Sequence, residues 1–141
     1  MMNNDYEVLL KERDIKPTAL RILIIKEMMS FNRAFNLSDL ERALDTVDKS
    51  TISRTINLFH KQQLIHSFDD GSGSIKYSLC KRNCHCSLEE SHAHFYCNYC
   101  KQAFCLQNIH IPKFDLAPGM QIESVNLVIK GYCGKCRKFA T

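Results

Sequence analysis

Apolar positions along this chain recur at helical spacing first and at strand spacing afterwards. Residues 5 to 14 read as a short amphipathic helix, with Val8, Leu9 and Leu10 between charged neighbours. Pro17-Thr18 opens a second helix, because proline suits a first turn whose N–H groups have no partner. Ile22, Ile25 and Met29 predict its buried stripe, and Arg21 lies near its start. A third helix is expected from Ser38 or Asp39, either of which can cap, with Leu40 and Leu44 inward. Asp48 to Thr51 offers caps for a fourth, running to about Gln63 with Ile52, Ile56 and Phe59 on its buried side.

After Gln63 the period changes. Leu64-Ile-His66-Ser-Phe68 and Ile75-Lys-Tyr77-Ser-Leu79 alternate apolar and polar, as half-buried strands do. The acidic, glycine-containing run from Asp69 to Ser74 supplies hairpin turn chemistry. Helices followed by a hairpin predict a winged helix-turn-helix. The wing places Lys76 where it could track a phosphate backbone. Short strands are then expected at His94 to Cys97 and Ala103 to Leu106, with Ile109 to Ile111 as a continuation. A further strand is expected from Ile122 to Ile129, ending at Gly131. The reading is an α+β chain in three parts: a winged-helix DNA-binding domain (1–82), a linker (83–91) and a smaller metal-binding unit (92–141).

Composition narrows the class. With 45% hydrophobic and 24% charged residues the chain is globular in type, not disordered. There is no apolar run approaching the roughly 18 residues that a membrane span needs. The first residues lack the basic start and apolar core of a signal peptide, so a cytoplasmic protein is expected. A net charge of +4 is too small to identify a nucleic-acid binder, but its distribution is informative. Residues 49 to 68 hold Lys49, Arg54 and Lys61 and no carboxylate. On the fourth helix Ser50, Ser53, Arg54, Asn57 and Lys61 lie opposite the apolar stripe. Such a face suits a major groove: small residues for close approach, Asn for base edges, Arg and Lys for phosphate or guanine. A merely solvated helix face would share the same pattern.

Cysteine usage sharpens the picture most. Between Cys80 and Cys105 lie six of the 8 cysteines and three of the 6 histidines. In a reducing compartment such cysteines point to metal before disulfides. Cys97-x-x-Cys100 and Cys133-x-x-Cys136 can each grip one side of a tetrahedral ion, which predicts a closed structural zinc site. A redox dithiol is disfavoured, because there are two pairs and no Trp-Cys-Gly-Pro-like context. The remaining candidates are His66, Cys80, Cys84, His85, Cys86, His92, His94 and Cys105. His92 and His94, two apart on a strand, face one side together. Neutral imidazole with thiolate favours zinc over iron or manganese. A nucleobase deaminase would need His-x-Glu and Pro-Cys-x-x-Cys, and a metalloprotease would need His-Glu-x-x-His; none is present, so no enzyme is expected.

Pro17-Thr-Ala-Leu-Arg21, Ser50-Thr-Ile-Ser-Arg54-Thr-Ile-Asn, Lys76-Tyr-Ser-Leu-Cys80, His92-x-His94-x-x-Cys97-x-x-Cys100 and Gly131-Tyr-Cys133-x-x-Cys136 together resemble the ferric uptake regulator family. Leu-Ile-His66 and Leu-Cys80 are most similar to its zinc uptake regulator branch. The resemblance implies a homodimeric, metal-responsive transcription regulator, with 83–91 as a hinge linker and 92–141 as a small α/β dimerisation and metal-binding domain, in this case a zinc-loaded repressor on palindromic double-stranded operator DNA. It implies structural Zn2+ on Cys97, Cys100, Cys133 and Cys136. It also implies a second, regulatory metal on His66, Cys80, His92 and His94, with Cys105 as a fifth candidate, and DNA contacts through Arg21 and Arg54. An iron- or peroxide-responsive regulator, or a zinc-ribbon interaction module without DNA binding, are the alternatives. The chain departs from the family at Leu20 and Ser53, where glutamine and tyrosine are usual, and at Ser91 and Ala93, which break a histidine-rich run. Cys84-His85-Cys86 matches nothing in the family, and the segment from 106 to 122 is short for its usual dimerisation helix.

Overall fold

The computed structural model describes residues 3–79, 92–110, 112–123 and 125–140, without the side chains of Asn3, His92, Gln107, Asn108 and His110. Cys80 and the Cys84-His85-Cys86 insert lie outside the described residues, as does the side chain of His92.

Four helices come first: α1 (Asn3–Lys11), α2 (Ala19–Ser30), α3 (Leu37–Ala43) and α4 (Lys49–Lys61). Thr18 caps α2, its hydroxyl accepting from the Arg21 N–H. The buried residues of α2 are Ile24, Ile25 and Met28, whereas Ile22 and Met29 lie at the rim, which corrects the expected stripe. The reason is that α2 packs against α1 and α3 at once, so its inward face lies between the two neighbours. The start of α3 is corrected too. Asn36 caps it, accepting from the Asp39 N–H at 2.8 Å while the Asp39 carboxylate accepts from the Asn36 N–H at 2.9 Å. Asp39 is buried and also takes Arg33 at 3.2 Å and Arg42 at 2.6 Å. Burial acts to raise its carboxyl, but the Asn36 N–H and the two guanidinium groups outweigh this and hold it below its ordinary value.

The hairpin follows as β1 (Ile65–Asp69) and β2 (Ile75–Leu79), antiparallel, with Ile65 opposite Leu79. Gly71 and Gly73 turn it, both at positive φ. Phe35 and Tyr77 bond each other in both directions, tying the segment before α3 to the hairpin. Ser67 and His60 meet at 2.8 Å, tying the end of α4 to β1. One core holds the helices and the base of the wing together. Its largest fully buried side chains include Leu10, Ile24, Phe35, Leu40, Ile52 and Phe59.

The second unit is a three-stranded sheet in the order β4-β3-β5, from β3 (His92–Cys97), β4 (Ala103–His110) and β5 (Val128–Gly131). β3 pairs antiparallel with β4 and parallel with β5. A 3-10 turn, Arg137–Phe139, closes the described chain. The strand expected from Ile122 begins only at Val128. Parallel pairing with β3 runs from Val128 opposite His94 to Gly131 opposite Cys97, and alternation upstream finds no partner strand among the described residues. No helix among the described residues is long and apolar enough to cross a membrane.

The two units touch along a continuous seam. Phe68 of the wing packs with Ala34 and Tyr96, flanked by Ala103 and Val128. The Asn126 amide donates to the Asp69 carbonyl at 3.0 Å, and the Lys130 ammonium donates to the Asp70 carbonyl. Lys76 lies in the field of the buried Asp70 and helps lower its carboxyl. At the other end the Ala34 N–H donates to the Lys101 carbonyl at 2.9 Å.

Candidate metal centres and nucleic-acid face

Cys97 closes β3, and the chain then reverses through Asn98 to Cys100 with Lys101 at φ 65°. Parallel pairing sets Cys97 beside Gly131, so the turn after β5 delivers Cys133 and Cys136 to the same place. The four sulfurs lie within 4.8 Å of one another, and Cys100 and Cys133 are 3.9 Å apart. A zinc–sulfur bond of about 2.3 Å gives a tetrahedral edge near 3.8 Å, so the cage fits zinc. The N–H groups of Cys133 and Cys100 aim at Cys97 Sγ from 3.4 and 3.5 Å. Burial raises the Cys97 thiol, but those N–H groups and that of Tyr99 win and pull it down to about 6. Burial and the three neighbouring thiols push Cys136 up to about 12, and Cys100 is raised, chiefly by burial. Four thiols this close cannot all ionise without a cation among them. The donor set and its spacing both fit a divalent, thiophilic ion.

A second cluster spans the seam. His66 is on the wing, opposite Ser78 in register, and one donor atom each from His66, His94 and Cys105 fall within 4.8 Å of one another. Cys105 is there because it is the direct cross-strand partner of His94. The His66 and His94 rings are 5.5 Å apart, and Phe68 stacks on His94 at 5.9 Å. His94 Nε2 is buried. Cys105, a fifth candidate by sequence, is one of the three donors the described residues bring together. The cross-strand register, which spacing alone does not reveal, is the missing signal. At His92 the β3–β4 register slips, pairing its backbone with His110 while Ala93 faces Leu106.

The prospective DNA face is α4. Ser50, Arg54, Asn57, Lys61 and Lys49 are exposed and Ser53 is half-buried, while Ile52, Ile56 and Phe59 are buried. No acidic residue occupies its first turn. Asp48 makes no capping bond to the helix; its carboxylate accepts from the Ser50 hydroxyl. Among the described residues Arg54 reaches its helix neighbour Thr51, at 3.4 Å. Arg21 is less available, its guanidinium donating to the Lys16 carbonyl at 2.8 Å.

Solved structures share this architecture. Holo XcZur is 17% identical, with a TM-score of 0.66 over 97% of this chain and 99% of that one. A zinc uptake regulator complexed with zinc and DNA is 16% identical, with a TM-score of 0.64 over 97% of this chain and 93% of that one. The Vibrio cholerae ferric uptake regulator is 16% identical, with a TM-score of 0.54 over 90% of this chain and 98% of that one. At such identities the likeness establishes the fold. No curated protein matches the chain. The model of the ferric uptake regulator family matches residues 12–130. With that match over most of its length, the chain belongs to the ferric uptake regulator family of metal-responsive transcription regulators.

Proposed function

We propose that the chain is a zinc-responsive repressor acting in the cytoplasm, which binds palindromic duplex operator DNA as a homodimer. Cys97, Cys100, Cys133 and Cys136 hold a structural zinc ion. His66, His94 and Cys105, with Cys80 and His92 as the further donors, hold a second, regulatory one. The observation that carries this reading is the convergence of His66 from the wing with His94 and Cys105 from the sheet.

When bound, zinc supplies a Lewis-acid link between neutral imidazole and thiolate. The rest of the work falls to the chain. His66 rides on β1, and β1 is joined to α4 through Ser67 and His60, so fixing His66 against the sheet also fixes the DNA face. In a dimer two such faces must sit about 34–36 Å apart to enter successive major grooves. A head free to rotate spends only part of its time at that spacing, and its apparent DNA affinity falls by that fraction. The dimer is supported by apolar side chains exposed on the second unit, including Ile109, Phe114, Leu116, Met120, Ile122 and Ile129. The division at 1–82, 83–91 and 92–141 belongs to the same reading. Thiolate at Cys105 favours zinc over the iron- or peroxide-responsive alternative, whose donors are harder.

The test is a mobility-shift titration against duplex DNA selected by the wild-type chain, with zinc varied. Binding should strengthen as zinc rises and should lose that dependence in His66→Ala/His94→Ala. Full zinc dependence in the double variant removes the hinge reading. Metal content after aerobic and anaerobic purification separates a zinc sensor from an iron sensor.

A further inference from the structure

The four-cysteine turn does more than close its own cage. The Lys101 carbonyl accepts from the buried Ala34 N–H at 2.9 Å, and the Gln102 amide donates to the Asn32 carbonyl and side-chain oxygen at 3.0 and 3.3 Å. Ala34 and Asn32 lie on the segment between α2 and α3, inside the helical head, and Phe35 next door is bonded in both directions to Tyr77 of the wing. Two further features lock the connection. Lys101 presents its carbonyl from a left-handed conformation, φ 65°, held by its own N–H on the Cys97 carbonyl at 2.9 Å. Asn32 is also left-handed, φ 51°, where Asn is tolerated better than most residues.

We propose that Gln102 and Asn32 are positioning residues that register the helical head on the Cys97–Cys100 turn, so that the four-cysteine site governs head orientation as well as the folding of the second unit. The inference rests on the DNA-binding reading above for its functional consequence, though not for its structural one. The chain of contact is short and every link is a hydrogen bond. Cys97 carries the Lys101 amide, Lys101 carries the Ala34 amide, and Phe35 carries the wing. Whatever sets the spacing of the four sulfurs therefore also sets the position of the Lys101 carbonyl under the head. The turn lies at the end of β3, whereas the His66–His94–Cys105 cluster lies along the strand, so the head has two attachments to one sheet. An orientation set by two separated attachments resists rotation in a way that one alone does not.

The experiment uses the full chain loaded with zinc, and compares wild type, Gln102→Ala, Asn32→Gly and Arg54→Ala. Three quantities are read: bound zinc, hydrogen exchange at the Ala34 amide, and affinity for a duplex selected by the wild-type chain. Gln102→Ala should keep its zinc, speed Ala34 exchange about tenfold or more, and weaken DNA binding about three- to tenfold. Asn32→Gly keeps the backbone carbonyl and the left-handed geometry, so a smaller change of the same sign is expected. Gln102→Arg, which restores a donor, should recover both exchange protection and affinity. Arg54→Ala should lose affinity with Ala34 exchange unchanged. Unaltered Ala34 exchange in Gln102→Ala overturns the proposal, as does faster exchange with undiminished DNA affinity. If the wild-type chain selects no duplex, the DNA reading fails instead, and the exchange result alone decides whether Gln102 and Asn32 register the head on the turn.

Discussion

Phe68→Ala tests whether the wing-to-sheet seam holds the second donor cluster together. The ring is 2% exposed, 5.8 Å from Tyr96 and 5.9 Å from His94. An aromatic side chain buries about 150–250 Å². At roughly 25 cal/mol per Å² that is about 4–6 kcal/mol, an upper bound because unfolded chains already bury some surface. Measured Phe→Ala losses of about 3–5 kcal/mol agree. Since Tyr96 and His94 belong to the second sheet, most of the loss should fall on docking of the two units, not on the helical core. His66 would then have to be brought to His94 and Cys105 against a weakened seam. If about 3 kcal/mol of docking is withdrawn from the bound state, affinity for the second metal ion falls roughly a hundredfold, at about 1.4 kcal/mol per decade. Zinc competition against a chromogenic chelator measures it, with the ion in the four-cysteine cage as internal reference. The same variant in urea should lose stability by a similar amount, while exposed Val8→Ala changes it by less than about 0.5 kcal/mol. A second-ion affinity within about threefold of wild type refutes the idea that this seam positions the donors.

Other perturbations separate the remaining parts. Cys136→Ser should abolish the structural ion and unfold the second unit, because metal binding free energy is folding free energy; bound zinc and tyrosine circular dichroism report it. Arg54→Ala should weaken DNA binding about tenfold and reduce the salt dependence by roughly one phosphate contact if Arg54 meets the backbone, or relax one base position if it meets guanine. Asp39 has a folded pKa below its unfolded value, so the stability it contributes is complete above about pH 4 and fades as pH falls through the folded value. Asp39→Asn should therefore be less stable at neutral pH, and the gap to wild type should narrow in acid; a gap independent of pH refutes the assignment.

In the head, α3 and α4 are legible from their own periods, whereas the stripe of α2 is not, since that helix packs against α1 and α3 at once. Ile52, Ile56 and Phe59 mark α4 from within α4, and Leu40 and Leu44 mark α3. The four-cysteine cage was legible for a different reason: two Cys-x-x-Cys pairs announce their chemistry whatever lies between them. What the sequence concealed is every contact that joins residues of ordinary type over long separations. Phe68 read as one more alternating strand residue, yet it is the centre of the seam. Gln102 and Asn32 have no spacing or composition signal. Asn36 carries no clear cap signal, because Ser38 and Asp39 stand nearer the apolar periodicity, and Asp39 serves as the far half of the capping box. Ile122, Val125 and Leu127 belong to no strand among the described residues, since alternation records which side chains can face a core and not whether a partner strand pairs with them.

The two clusters among the described residues are divided by a single strand. Successive side chains of β3 alternate between its faces, so His94 and Tyr96 share one face while Phe95 and Cys97 share the other. The first face meets the wing through Phe68, and the second packs Phe95 against Phe104 of β4. Cys97, at the end of the strand, then leads into the thiolate cage. One short strand thus carries a donor for each cluster, three residues apart and on opposite faces. That arrangement keeps the two sets of ligands from mixing, since a side chain on one face cannot reach an ion held on the other. It also couples them, because β3 is paired on both edges and cannot tilt at His94 without moving Cys97. In the regulator proposed above such coupling is reciprocal: whatever metal in the cage does to the affinity of the His66–His94–Cys105 cluster, metal in that cluster does to the cage by the same factor.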